Sequence, residues 1–220
     1  MSRYLFCLAL FNLAVATGSV LAVGPAQAAE KGWILEQNKM SVRSKLYISA
    51  IGIKCGPDPF DASYVSKGPD WKLYIYNPKK RIYFGQSLES FGATEKVLTG
   101  SLSTMRHAGE YFKGKETTIA GLAAVQYRKF RGGEWNQVYI AKDIVLSPRL
   151  NKVASYILGT PPGVHDTNRI MLRREIIDSN GFRLTILNTT SARRSELPSS
   201  TFEPPPGYRL AEGLEQVVSR

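Results

Sequence analysis

One stretch limits the possible folds more than any other. Ile170, Leu172 and Ile176 alternate along one run, and Phe182, Leu184 and Ile186 alternate along the next. Between them stands Asp178-Ser179-Asn180-Gly181, a strong turn signal. A three-residue loop from Ser179 to Gly181, with Gly181 left-handed, sets Ile176 opposite Leu184. A two-residue Asn-Gly turn would slip the register by one and oppose the apolar faces. The longer loop is therefore expected. Arg174 interrupts the apolar face, and an unbroken register puts it opposite Ile186. After the hairpin come Leu197-Pro198 and Thr201-Phe202-Glu203-Pro204-Pro205-Pro206-Gly207-Tyr208. Prolines donate no ladder bonds, so this tail suits a segment laid along a sheet edge.

The N-terminus reads as an export signal. Arg3 supplies positive charge, Leu5 to Val23 form an apolar run, and Ala26-Gln27-Ala28 fits a cleavage site. Gly18, Gly24 and Pro25 argue against a retained membrane anchor. The expected product is a soluble periplasmic or secreted single domain covering 29–220. Cleavage at 28 removes one of the 29 basic residues and none of the 18 acidic ones. Only Cys55 of the two cysteines then remains, so no internal disulfide can form. A lone thiol of this kind ordinarily packs as a small apolar residue.

The excess of basic residues has two readings. It can be an ordinary solvated surface, or it can attract an anionic membrane surface. Arg128-Lys129, Arg173-Arg174 and Arg193-Arg194 are pairs rather than runs, and no nucleic-acid-binding module is recognisable. Nucleic acid is not an expected partner, and the chain is expected to be a monomer.

Period-2 alternation dominates the mature chain. Strands are expected at Trp33–Lys39, Val42–Lys54, Trp71–Tyr76, Arg81–Phe84, 110–113, Thr117–Ile119, Ala123–Phe130 and Trp135–Asp143. Turns are expected at Asn77-Pro78-Lys79-Lys80, Gly114-Lys115, Gly121-Leu122 and Arg131-Gly132-Gly133-Glu134. Helical spacing is expected over 87–105, weakened by Gly92 and Gly100 at about 1 kcal/mol each. The clearest helix is Ser147 to Leu158. Ser147 can cap it, Pro148 fits its first position, and Gly159 suits the residue past its end. Leu150, Val153, Ala154 and Ile157 give it one apolar stripe. A short helix over 212–219 is also expected.

Three motifs carry a family resemblance: Trp71-x-Leu73-x-x-Tyr76-Asn77-Pro78-Lys79-Lys80-x-x-Tyr83, the Asp178-Ser179-Asn180-Gly181 hairpin, and Phe202-Glu203-Pro204-Pro205-Pro206-Gly207-Tyr208. Together they resemble the LolA-like superfamily of periplasmic lipoprotein-sorting proteins and their relatives. The resemblance implies a mainly β fold with short helices. Its sheet would be strongly curved and antiparallel, an open half-barrel with helices covering the concave apolar face. In carriers of that family the cavity holds lipoprotein acyl chains, whereas other relatives act in envelope-stress sensing. This sequence departs from a sorting factor in its 56–68 loop and its basicity.

No catalytic constellation is legible. His165-Asp166 and His107 read as loop residues, no nucleophile elbow or phosphate loop is present, and two histidines with one cysteine make a poor zinc set. No catalytic residue, metal or cofactor is expected. Tyr74, Tyr76, Tyr83, Tyr127 and Tyr139 fall on strands, either half-buried or lining an amphipathic cavity. The resemblance points to a lipid or an acyl chain as the ligand of a non-enzymatic carrier. Its expected cavity lining is Leu73, Ile75, Val125, Ile170, Leu172, Leu184 and Ile186, with Arg174 at the edge. Arg174 can pair with Glu95 or another acid, lie at the mouth, or contact a ligand anion. The competing function is an envelope protein with a filled core that contacts another protein.

Overall fold

The structure is a computed structural model and describes residues 29–90, 110–161, 163–164 and 167–218. The described residues form a 12-stranded sheet with short helices. The strands are β1 (Ala29–Lys39), β2 (Val42–Ser49), β3 (Gly52–Gly56), β4 (Ser63–Lys67), β5 (Lys72–Asn77), β6 (Ile82–Gln86), β7 (Phe112–Ile119), β8 (Leu122–Arg131), β9 (Glu134–Val145), β10 (Arg169–Ile177), β11 (Arg183–Pro198) and β12 (Arg209–Leu210). Their order is β12-β6-β5-β4-β3-β2-β1-β11-β10-β9-β8-β7, and the sheet does not close into a barrel. Two antiparallel meanders, β1 to β6 and β7 to β11, are joined where β1 pairs with β11.

The hairpin forms in the predicted register: Ile176 faces Leu184 and Gly181 has φ 82°. Asp178 holds the loop, its Oδ1 accepting from Asn180 N and Phe182 N. One residue further the register slips. Glu175 faces Thr185, but Arg174 faces Leu187, so Ile186 is extra and forms a bulge. Leu187 therefore takes the inward position expected of Ile186 and is 1% exposed. Leu184 lies beyond the bulge at the sheet's end and is 46% exposed.

Several other expectations are also corrected. Val42–Lys54 is a hairpin rather than one strand, turning at Ala50-Ile51 and pairing Ile48 with Ile53. Ile48 and Ile53 have opposite parity, so one strand could not bury both on one face; a two-residue turn can. The stretch expected to be a loop after Gly56 contains β4. Asp58 shapes the turn before β4, accepting from Phe60 N, Ala62 N and the Tyr64 hydroxyl. Gly114-Lys115 does not end a strand. The ladder to β8 breaks register between Lys113 and Glu116 and then continues. A Cβ at Gly114 would lie 2.6 Å from Gln126 Oε1, so a larger residue there would push the Gln126 side chain aside.

Helix α1 (Pro148–Leu158) has the predicted caps. Ser147 accepts from Leu150 N, and Gly159 is left-handed at φ 66°. Leu150, Val153, Ala154, Ile157 and Leu158 are buried against the sheet, with contacts to β3 and β10. Each large apolar side chain in that stripe contributes about 1.5–3 kcal/mol. Residues 88–90 are helical, and residues 91–105 of the expected 87–105 segment lie outside the described residues. A short terminal helix α2 (Leu214–Val218) is present, and Asn77 Nδ2 donates to Val217 O.

Alternation splits the sheet into two faces. The inner face carries the main core, including Leu35, Leu46, Ile53, Leu73, Ile75, Ile140, Met171 and Leu187 together with α1. On the outer face of the first meander, Ile34, Val65, Tyr76, Leu197 and Phe202 form a second cluster flanked by Tyr47, Tyr74, Tyr83 and Tyr208. The tail thus does more than follow an edge. The 3-10 turn Ser199–Phe202 lies over β3 and β4, with Phe202 only 1% exposed. Tyr208 then meets Tyr76 edge-on, and β12 runs parallel to the β6 edge.

Candidate functional site

A cleft opens on each side of the sheet. The larger, about 610 Å³, lies on the outer face of the second meander. Cross-strand pairing builds its floor. Gln126 on β8 stands opposite Tyr139 on β9, which stands opposite Arg173 on β10, which stands opposite Asn188 on β11. The next row is Arg128, Gln137, Glu175 and Thr185. Gly114, Lys115 and Thr117 of β7 form one wall, and Arg183 stands at the other end.

The floor is a connected polar network. Gln126 Nε2 donates to Gln137 Oε1 (2.8 Å) and to the Tyr139 hydroxyl (3.1 Å), and Tyr139 donates to Gln137 Oε1 (3.0 Å). Gln126 and Tyr139 are each 8% exposed. Arg173 Nε donates to Asn188 Oδ1 at 2.7 Å, and its guanidinium stacks over Tyr139. Glu175 is buried beneath, and the cation that approaches it among the described residues is Arg183, its Nη1 at 3.6 Å. Lys115, Arg128 and Arg173 have no carboxylate partner among the described residues. Arg128 rests on the Trp135 ring, and Phe112 and Phe130 stand exposed beside it.

The smaller cleft, about 300 Å³, lies at the N-terminal end of α1. Trp33, Ile48, Ile144, Leu146 and Leu150 supply its apolar surface. Arg194 sits 4.3 Å above the Trp33 ring, and Val145 at the rim is 68% exposed.

The residues expected to line a cavity line neither cleft. Leu73, Ile75, Ile170 and Leu172 are at most 1% exposed inside the main core, and Val125 is 8% exposed. Ile186 is half-buried in the bulge. Arg174 does lie on the inner face, where its Nη1 donates to Gly159 O (3.0 Å), the carbonyl past the end of α1. The negative end of the helix dipole favours a cation there. Its Nε is buried without a hydrogen bond, and burial pushes the guanidinium pKa down, opposed by the Tyr111 phenol. Glu95, His107 and His165 lie outside the described residues.

Other reactive groups are accounted for by packing. Cys55 is buried against Ser44, and burial pushes its thiol pKa up, away from the reactive thiolate. No three His, Cys, Asp or Glu among the described residues could hold a metal ion. No described helix is long and apolar enough to cross a membrane. Tyr139 is the tyrosine that reaches a cleft. The outer cleft was illegible because its cations are separated along the chain. The legible signal was Arg173-Arg174-Glu175, which sends alternate charges to opposite faces.

No family model and no curated protein matches the sequence. Solved structures share the general shape at low similarity. An uncharacterised conserved protein from Thermus thermophilus is 10% identical with a TM-score of 0.38, over 83% of this chain and 90% of that one. PNGF-II is 7% identical with a TM-score of 0.43, over 86% of this chain and 33% of that one. MucB, solved in complex with MucA(peri), is 10% identical with a TM-score of 0.38, over 86% of this chain and 58% of that one. Likeness at this level assigns no family and carries no function.

Proposed function

We propose that this chain is a non-enzymatic protein of the cell envelope that acts by contacting another protein through its sheet surface. One observation carries the reading. Side chains without accessible surface border no cavity, and that is the state of Leu73, Ile75, Ile170 and Leu172. The outer face of β7 to β11, in contrast, offers exposed aromatics beside arginines with no carboxylate partner among the described residues, the residue types that dominate protein interfaces. The N-terminal apolar run with its Ala26-Gln27-Ala28 site supports export to the periplasm. The half-barrel form fits the same reading. Helix α1 touches both β3 and β10, four strand spacings apart.

The test is in vivo photo-crosslinking, with a photoreactive amino acid in place of Phe130 on the outer face or Phe60 on the opposite half. A discrete protein adduct at 130, absent at 60, is expected. The reading falls if 130 yields no protein adduct.

The smaller cleft favours a second reading, an acyl-chain carrier. Its apolar floor beneath Arg194 suits an alkyl chain with an anionic head. Saturable binding of a fluorescent fatty acid, abolished by Leu150→Glu in folded protein, would establish it over the first.

A further inference from the structure

We infer that the outer cleft is a carboxylate-recognition site for an acidic segment of a protein partner. The inference rests on the protein-contact reading and adds the chemistry of the contact. Three cations from three strands, Lys115 of β7, Arg128 of β8 and Arg173 of β10, face one cleft, and none forms an ion pair with a carboxylate among the described residues. Such an arrangement leaves positive potential in a concave site, where low-dielectric walls strengthen it. The carboxylate beneath the floor, Glu175, lies buried with Arg183 beside it.

The existing contacts hold the two arginines in place. Arg128 is laid on Trp135, and Arg173 is fixed by Asn188 and Tyr139. Immobilised guanidinium groups lose less entropy when a carboxylate arrives and can bind it through two parallel hydrogen bonds. The Gln126–Gln137–Tyr139 floor contains both donors and acceptors, which suits peptide amides as well as acids.

A bilayer fits less well. The floor groups are recessed, with Gln126 and Tyr139 only 8% exposed, whereas a headgroup plane meets protruding cations. The exposed Phe112 and Phe130 flank the cleft and would pack on apolar residues between the acids of an extended segment.

The experiment measures fluorescence anisotropy of a labelled peptide of alternating glutamate and tyrosine, titrated with the purified protein. A peptide of alternating lysine and tyrosine and anionic phosphatidylglycerol vesicles are run beside it. The expected result is saturable binding of the acidic peptide alone, weakened by added salt. The double variant Lys115→Gln with Arg128→Gln should weaken binding at least tenfold, while Lys45→Gln on β2 leaves it unchanged. Lys115 and Arg128 are exposed, so an unchanged melting temperature should accompany the loss. Salt sensitivity of the unmodified protein gives a readout independent of any variant. The proposal is overturned if the peptide fails to saturate, if the double variant binds as tightly as the parent, or if vesicles bind in its place. A protein adduct at 130 combined with any of these would retain the protein-contact reading and remove the carboxylate assignment alone.

Discussion

Removing the Phe202 ring tests whether the tail is a structural strap across the sheet. Phe202 is 1% exposed and packs with Ile34, Val65, Tyr76 and Leu197 on the outer face. Buried Phe→Ala substitutions cost about 3–5 kcal/mol, the upper end applying where the site cannot collapse. For a chain of this size, 1 kcal/mol moves Tm by about 2–4 °C, so Phe202→Ala should lower Tm by about 6–20 °C. Gly52 supplies the internal control. A Cβ there would meet Phe202 Cγ at 2.6 Å, Phe202 Cβ at 2.7 Å and Ser66 O at 2.8 Å. Gly52→Ala should cost about 1–3 kcal/mol by overpacking, although loss of glycine's unfolded-state freedom works the other way by about 0.4–1 kcal/mol. In the Phe202→Ala background the ring is gone and the 3-10 turn can back away, leaving mainly the Ser66 carbonyl. The two costs should therefore fall short of additivity by about 1 kcal/mol or more. Urea unfolding followed by circular dichroism measures all four proteins. A cost under about 1 kcal/mol for Phe202→Ala, or strict additivity, refutes the strap.

Val153 is fully buried on α1, so Val153→Asp places an unpaired carboxylate in the main core and should lower Tm sharply; an unchanged Tm would put that helix face in water. Alkali should weaken the fold through Tyr76, whose phenol pKa is pushed up to about 12, mainly by burial. The neutral phenol is favoured in the folded state, so this contribution is complete below pH 10 and is lost as pH rises through 12, at about 1.4 kcal/mol per unit between them. Tyr76→Phe should flatten the fall in unfolding free energy over that window, and curves of equal slope for the two proteins would contradict this. Tyr64, also pushed upward by burial, keeps part of the slope in the variant.

The fold was legible wherever a local rule had one solution. The hairpin loop was fixed by facing Ile176 with Leu184, and α1 by Ser147, Pro148 and Gly159. The errors share a different origin. β3 was hidden because apolar parity switches between Ile48 and Ile53, which marks a turn only after pairing is known. The second half of β11, from Thr189 to Glu196, is polar at every position but Ala192. It is a strand because β1 pairs along its length, a partner 152 residues distant at Gln37 and Thr189. Such pairing leaves no local trace.

The candidate site failed to read for a related reason. Inward-facing apolar residues were identified, Leu73 and Ile75 included, but whether a face is filled depends on what packs against it. The tripeptide Arg173-Arg174-Glu175 makes the difference concrete. Alternation sends Arg174 inward, where the carbonyl at the end of α1 accepts one hydrogen bond from a cation that otherwise belongs in water. The same alternation sends Arg173 and Glu175 outward, to the floor of a cleft completed by β7 and β8. Arg174, singled out because it spoils an apolar face, thus holds the helix end to the sheet. Its unremarked neighbour Arg173 joins Arg128 and Lys115 in an open, charged cleft of about 610 Å³. A cation on an apolar face therefore points first to a nearby helix end. A cation on a polar face becomes informative once the strands beside it are known to add others that outnumber the acids.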